Sequence, residues 1–273
     1  MEQSPLVTEI TTICERLSKT KWHEGAAGNL SLLLNQSAVS PWLDTSEVSG
    51  PKQVLEQTIK ELSGKYLLIS ASGAQMHEIC LDPQKHLALL QITEYGESYR
   101  VIWGLRDGGK PSSELMVHLL GHAARIAATK DSRAIIHSHP TYAIALSILV
   151  RPDNREYSRL LWGIHAEGVN TFPEGVAAIE LLPPGGLLLA QKTAKALETH
   201  SYVIWERHGV VVSGATLKDC FAKIEVAEKI LEIAYITSGS RPHHNILTQK
   251  MNDSQICALL TSQGATGRHR YWD

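Results

Sequence analysis

Residues 134–143 read AIIHSHPTYA, and the reading of this stretch decides the fold. Ile135 and Ile136 favour a strand, and Pro140 ends it because proline has no N–H to pair. Side chains on a strand alternate between faces, so His137 and His139 lie about 6.6 Å apart along one face with both imidazoles aimed the same way. Two rings directed at one spot can share a metal ion. The ligands that complete such a site must come from elsewhere in the chain.

Around this strand the chain reads as alternating sheet and helix. PTYAIALSILV (140–150) follows as a helix, and SSELMVHLLGHAARIAA (112–128) precedes as a helix with serines at its mouth. Upstream, Ser4-Pro5 is an N-cap and first-turn pair. Leu6, Ile10, Ile13 and Leu17 then recur at helical spacing. GAAGNLSLLL (25–34) leads into a first strand, KYLLISASG (65–73) is a buried strand running into a Ser/Gly loop, and SYRVIWGL (98–105) is another strand. Residues 35–64 mix turn formers with a short helical stretch and read as an excursion from the sheet. Downstream, GVAAIELLPPGG (175–186) is strand then turn and LLLAQKTAKALETH (187–200) a helix. SYVIWERHGVVVSG (201–214) gives two strands broken at His208-Gly209, and a long helix over 216–237 places Leu217, Phe221, Ile224, Leu231 and Ala234 on one side. No repeat, low-complexity tract or linker interrupts this order, so a single domain over 1–273 is expected. Helices do not alternate regularly with strands and no G-x-G-x-x-G follows the first strand, which argues against a doubly wound dinucleotide fold. A mixed, largely antiparallel sheet flanked by helices fits better.

Composition narrows the partners. A 273-residue chain with 43% hydrophobic and 20% charged residues can bury a sizeable core. The net charge of −2 and the absence of a Lys/Arg block argue against nucleic acid and membrane surfaces and for a small-molecule substrate. Cys14, Cys80, Cys220 and Cys257 are widely spaced with no C-x-x-C and read as reduced core thiols. Glu2, Glu9 and Glu15 break the opening residues, and no uncharged apolar run nears the ~20 residues of a membrane span. A cytoplasmic location is the expectation.

Three features strengthen the H-x-H pair. His208 precedes a glycine in a tight turn between strands, Glu114 follows two serines at a helix start, and the histidine pair ends a strand. Three imidazoles leave the fourth position of a tetrahedral ion open, the arrangement of a catalytic zinc site. Two rival metal readings are weaker. A cupin places a glutamate soon after H-x-H, but the fourth to sixth positions beyond His139 are Ala143, Ile144 and Ala145. Glu114, His118 and His122 stand at i, i+4 and i+8 on a helix face that could hold an ion alone, but packing behind the site suits the two histidines better. His23, His77 and His200 read as solvated, and Glu225 and Glu228 as an exposed helix face.

The set GAAGNLS, SASG, SSELMVH, HSHP and ERHGV, in this order over nearly the whole chain, resembles the class II aldolase and adducin family. LDPQKHLALLQI, YRVIWGL and LLWGIHAEGVNTFPEGV, with the insertion before residue 65, are most similar to the branch that cleaves L-rhamnulose 1-phosphate into dihydroxyacetone phosphate and L-lactaldehyde. The resemblance implies an α/β sandwich with a central, mainly antiparallel sheet, assembled as a homotetramer with sites between subunits. It implies Zn2+ on His137, His139 and His208, with Glu114 as catalytic acid/base. Asn29, Ser72, Gly73, Ser112 and Ser113 would hold the phosphate of a phosphorylated ketose, and Glu167 would reach a neighbouring subunit's site near the aldehyde. A Lewis acid beside a carboxylate suits aldol cleavage without a Schiff-base lysine, and hydroxyls with backbone N–H groups bind phosphate without a basic patch. Structural roles compete for several of these residues: Ser112 and Ser113 as helix caps, Ser72-Gly73 and Asn29 as turn formers, Glu167 as a loop acid. Ala26 stands where the rhamnulose-phosphate branch carries asparagine, which leaves open other family reactions. Among them are fuculose-phosphate cleavage, ribulose-phosphate 4-epimerisation and, from another class, an adducin-like non-catalytic role.

Overall fold

The computed structural model describes residues 1–45, 50–129, 131–239 and 250–262. Part of the expected excursion (46–49) and the C-terminal tail from 263 lie outside the described residues. In chain order the first half contains α1 (Pro5–Ser18), β1 (Asn29–Leu34), α2 (Gln36–Val39), β2 (Gln53–Val54), β3 (Tyr66–Ser70), α3 (Met76–Leu81), α4 (Pro83–His86), β4 (Leu87–Ile92) and β5 (Ser98–Gly104). Then follow α5 (Leu115–Ala128), β6 (Ala134–Ser138), α6 (Thr141–Leu149), α7 (Asn154–Ile164), α8 (Ala166–Thr171) and β7 (Ala177–Ile179). The last elements are α9 (Leu187–Leu197), β8 (Tyr202–Trp205), β9 (Gly209–Gly214), α10 (Leu217–Gly239) and α11 (Asp253–Ser262).

The nine strands form one sheet in the order β2-β5-β4-β3-β1-β6-β9-β8-β7. Among the described residues only β7 and β8 run parallel; every other pair is antiparallel, as the sequence leads one to expect. Helices cover both faces, so the inner strands are apolar on both sides and do not simply alternate. Leu30, Leu32, Leu68, Ala134, Ile136, Ile204 and Val212 face the layer that contains α1, α6, α7 and α10. Their sequence neighbours Leu33, Leu67, Ile69, Ile135, Val203 and Val211 face α5 and α9. His137 follows Ile135 at a spacing of two, so the strand period sends it to the α5 side, where its ring lies 4.7 Å from Trp205.

The opening helix keeps its expected cap, with Ser4 Oγ accepting from Val7 N–H at 3.3 Å. Other elements were not legible. LALLQI forms the central strand β4, although Leu, Ala and Gln favour helix locally, because pairing with both β3 and β5 overrides propensity. Within 154–171 two helices, α7 and α8, occupy a region given no element by sequence. Among the cysteines, Cys14 and Cys220 are buried free thiols as expected, whereas Cys257 is exposed on α11.

Candidate metal centre and active site

The site sits where β6 ends, beside the β8–β9 turn and the start of α5. Asn29 is the register partner of His137 across β1 and β6, and Val211 of β9 pairs with His137 on the other side. His208 reaches the pair because the turn between β8 and β9 is short, with Trp205 opposite Gly209 and Arg207 at φ 56°. Gly209 permits the close approach: a Cβ there would lie 2.4 Å from the Ser138 carbonyl oxygen and 2.8 Å from the His139 ring. Ser147 on α6 accepts from Arg207 N–H at 2.8 Å, fixing the residue before His208.

His137, His139 and His208 each offer one nitrogen, and these atoms lie within 4.8 Å of one another. The ring centroids stand 4.9 to 5.2 Å apart. Burial and the adjacent His139 hold His137 at about 3, while burial and His137 hold His208 at about 4. His137 and His208 are therefore neutral near pH 7, with lone pairs available. His137 Nδ1–H donates to the Val210 carbonyl at 2.9 Å and His139 Nδ1–H to the Glu24 carboxylate at 3.1 Å. His137 Nε2 is then bare, and it lies 3.0 Å from His139 Nε2. A lone pair so placed can take an electrophile, and the bonds to Val210 and Glu24 are outer partners of the kind that orient metal-bound histidines. The donor set fits a divalent transition metal with an open position.

Glu114 closes the group. It is 5% exposed at the N-cap of α5, with Oε2 3.5 Å from His137 Nε2 and Oε1 3.8 Å from His208 Nε2. Its backbone N–H donates to Ser112 Oγ at 3.2 Å, so Ser112 closes the turn that leads into α5, whose N-cap is Glu114 itself and not a serine. The Ser/Gly loop lies alongside: Ser112 N–H donates to the Ser70 carbonyl at 3.0 Å and Ser72 N–H to the Lys110 carbonyl at 2.8 Å. Ser72, Gly73 and Ser113 are exposed there, and Gly73 adopts φ 78° with open space around its Cα.

Other expectations fare unevenly. Asn29 is buried, and both ends of its side-chain amide are bonded inside the protein. Glu167 is exposed on α8 and bonds Asn170 and His165; no hydrogen bond or ion pair joins it to His137, His139 or His208 among the described residues. His118 and His122 are fully buried and bonded to Ser31, which excludes them from a helix-face metal site. Three residues read as solvated are not. His23 packs beneath β6, 3.3 Å from Ser138 Oγ. His200 is buried. Glu228 is 7% exposed and accepts from the Tyr142 and Ala143 N–H groups at 2.9 and 3.1 Å, capping α6; burial raises its carboxyl above the usual range. Glu225, which pairs with Arg16, is on the surface as expected. Sequence gave no sign of Glu24 or Glu228, because each meets partners far along the chain.

The comparisons with known proteins agree with this geometry. A rhamnulose-1-phosphate aldolase of Enterococcus faecalis is 29% identical over 270 residues, 98% of this chain and 95% of its own. One of Yersinia pestis is 36% identical over 213 residues, 78% of each. A sugar-phosphate aldolase from Thermotoga maritima superposes with a TM-score of 0.73 at 27% identity, over 88% of this chain and 97% of the other. An L-fuculose 1-phosphate aldolase shares the fold, with a TM-score of 0.64 at 21% identity over 96% of this chain and 97% of its own. The family model for the class II aldolase and adducin N-terminal domain matches residues 8–235. The chain therefore belongs to the class II aldolase and adducin family.

Proposed function

We propose that this aldehyde-lyase is a zinc-dependent aldolase that reversibly cleaves L-rhamnulose 1-phosphate to dihydroxyacetone phosphate and L-lactaldehyde. The observation that carries the reading is the convergence of His137, His139 and His208 with the buried carboxylate of Glu114. The names of these relatives, matched over 95% and 78% of their own length, support the substrate. A cation held by the three imidazoles would supply Lewis-acid stabilisation of the negative charge that develops on the ketose oxygens.

The chain's own residues do the rest. Ser72, Gly73, Ser112 and Ser113, on the two adjoining segments, receive the phosphate through hydroxyls and backbone N–H groups. In cleavage, Glu114 takes the proton of the hydroxyl that becomes the aldehyde oxygen as the carbon–carbon bond breaks, and gives it to the substrate carbon that keeps the electron pair; in synthesis both transfers run in reverse. Positioned acid/base groups of this kind contribute about 10² to 10⁴-fold. Glu167, exposed on α8, acts at the aldehyde end in a neighbouring subunit, in keeping with a homotetramer that has shared sites. The chain works as one domain in the cytoplasm; no helix among the described residues is long and apolar enough to cross a membrane.

The test couples metal analysis to product detection. Purified protein should contain about one zinc per chain and release dihydroxyacetone phosphate from L-rhamnulose 1-phosphate faster than from L-fuculose 1-phosphate, with chelation abolishing the release and borohydride trapping no lysine adduct. Failure to take up zinc would favour a non-catalytic, adducin-like role. Preference for fuculose phosphate, or epimerisation of ribulose phosphate, would move the substrate within the family.

A further inference from the structure

Behind Glu114 lies a row of buried polar groups that the proposed mechanism does not use. Glu114 Oε2 is 2.9 Å from Asn29 Nδ2, and Asn29 Oδ1 is 2.5 Å from His118 Nε2. His118 Nδ1 is 2.7 Å from Ser31 Oγ, which is 2.8 Å from His122 Nε2. All four supporting residues are buried, and His122 Nδ1 has no partner among the described residues. The period of β1 places Asn29 and Ser31 on one face, and the i, i+4 spacing of α5 places His118 and His122 opposite them.

The direction of every bond in this row follows from valence. A carboxylate only accepts, so Asn29 must present its NH2 to Glu114 and its carbonyl to His118. A carbonyl only accepts, so His118 carries its proton on Nε2. Among the described residues the His118 ring bonds Ser31 and Asn29 and no carboxylate that would offset a buried charge, and burial pushes the pKa of His118 well down and that of His122 to about 3, so both rings are neutral. His118 Nδ1 is then a bare acceptor, which Ser31 O–H must fill. With its one proton used, Ser31 Oγ can only accept, and His122 must donate from Nε2. The bare Nδ1 this leaves on His122 is the atom found without a partner.

We propose that this one-way chain, His122 to Ser31 to His118 to Asn29 to Glu114, holds the Glu114 carboxylate in its working orientation. Asn29 is then a positioning residue and not a phosphate ligand. Oε2 is anchored by the Asn29 N–H, which leaves Oε1 as the oxygen that exchanges the proton with substrate. The inference deepens the aldolase reading and rests on it for the role of Glu114, whereas the bond directions stand on geometry alone.

Two sets of measurements test it. Nitrogen-15 spectra of the ring nitrogens in the full chain should show His118 and His122 as neutral Nε2–H tautomers; an Nδ1–H tautomer at either reverses the chain and overturns the proposal. With L-rhamnulose 1-phosphate, Asn29→Ala and His118→Phe should lower kcat about 10- to 100-fold, the scale at which outer hydrogen-bond partners act, with KM, inhibition by inorganic phosphate and zinc content little changed. His118→Gln, whose amide offers a donor and an acceptor in one side chain, should recover most of that loss and guards against a folding defect in His118→Phe. A raised KM and weakened phosphate inhibition in Asn29→Ala would assign it to phosphate binding and sink the proposal, as would unchanged kcat in all three variants. If the unaltered protein cleaves no ketose phosphate, the aldolase reading fails. Crystal structures then decide the positioning claim, which requires the Glu114 carboxylate to move in His118→Phe and not in His118→Gln.

Discussion

The two oxygens of Glu114 sit in different surroundings. Oε2 is held by Asn29 and lies near His137, whereas Oε1 faces His208 across 3.8 Å. Glu114→Ala should retain zinc, because the three imidazoles remain, and should lower kcat by about 10² to 10⁴-fold; loss of zinc together with activity, read by metal analysis, would make the carboxylate a ligand instead. Buried histidines also set an acid limit. His122 titrates at about 3 in the folded protein against 6.5 when unperturbed, because burial disfavours its charged form. The unfolded chain thus binds more protons between these values, so the stability is fully present above pH 6.5 and falls as pH drops towards 3. His118 is shifted the same way and adds to the effect. Each should contribute a slope of up to about 1.4 kcal/mol per pH unit in urea denaturation of the metal-free chain. Replacing His122 by Leu should flatten that slope; an unchanged slope would show that His122 is not protonated differently in the two states.

At the scale of elements, α6 links both sides of the site. It begins two residues after His139, is capped by Glu228 from α10, and through Ser147 holds Arg207 beside His208. Glu228→Ala removes that cap and should cost about 0.5 to 2 kcal/mol, seen as a lower urea midpoint, with weakened zinc affinity if α6 sets the ligand spacing. Equal zinc affinity in the variant and the parent would confine Glu228 to stability. The β8–β9 turn makes a stricter demand. Gly209→Ala places a methyl group 2.4 Å from the Ser138 oxygen, so β6 and the turn must separate. Overpacking of this kind costs about 1 to 3 kcal/mol, and zinc titration should show the affinity falling with it.

For the whole molecule, the exposed position of Glu167 is the informative feature. Among the described residues Glu167 bonds its α8 neighbours His165 and Asn170 and leaves its carboxylate open to a neighbouring subunit. Shared sites predict that Glu114→Ala and Glu167→Ala variants, each inactive or nearly so, regain part of the activity when unfolded and refolded together. No recovery in mixed oligomers, with each variant separately assembled, would place Glu114 and Glu167 in one chain's site, and full activity of Glu167→Ala alone would place Glu167 outside the reaction.

Local pattern alone was enough for much of this protein. The strand period put His137 and His139 on one face, the Ser4-Pro5 pair started α1, and the His208-Gly209 break separated β8 from β9, because each depends on neighbours a few residues away. Motif order then carried the family and singled out the three histidines that converge. Only the tertiary structure could assign β4, whose helix-favouring residues become a strand through pairing on both sides. It also buried Glu228 under α6, brought Glu24 to His139, and drew Asn29, Ser31, His118 and His122 into one row behind Glu114. Those bonds join residues some 85 to 115 positions apart. Hydrogen bonds act over about 3 Å, and nothing in the linear order records which distant groups the packed sheet brings within that reach.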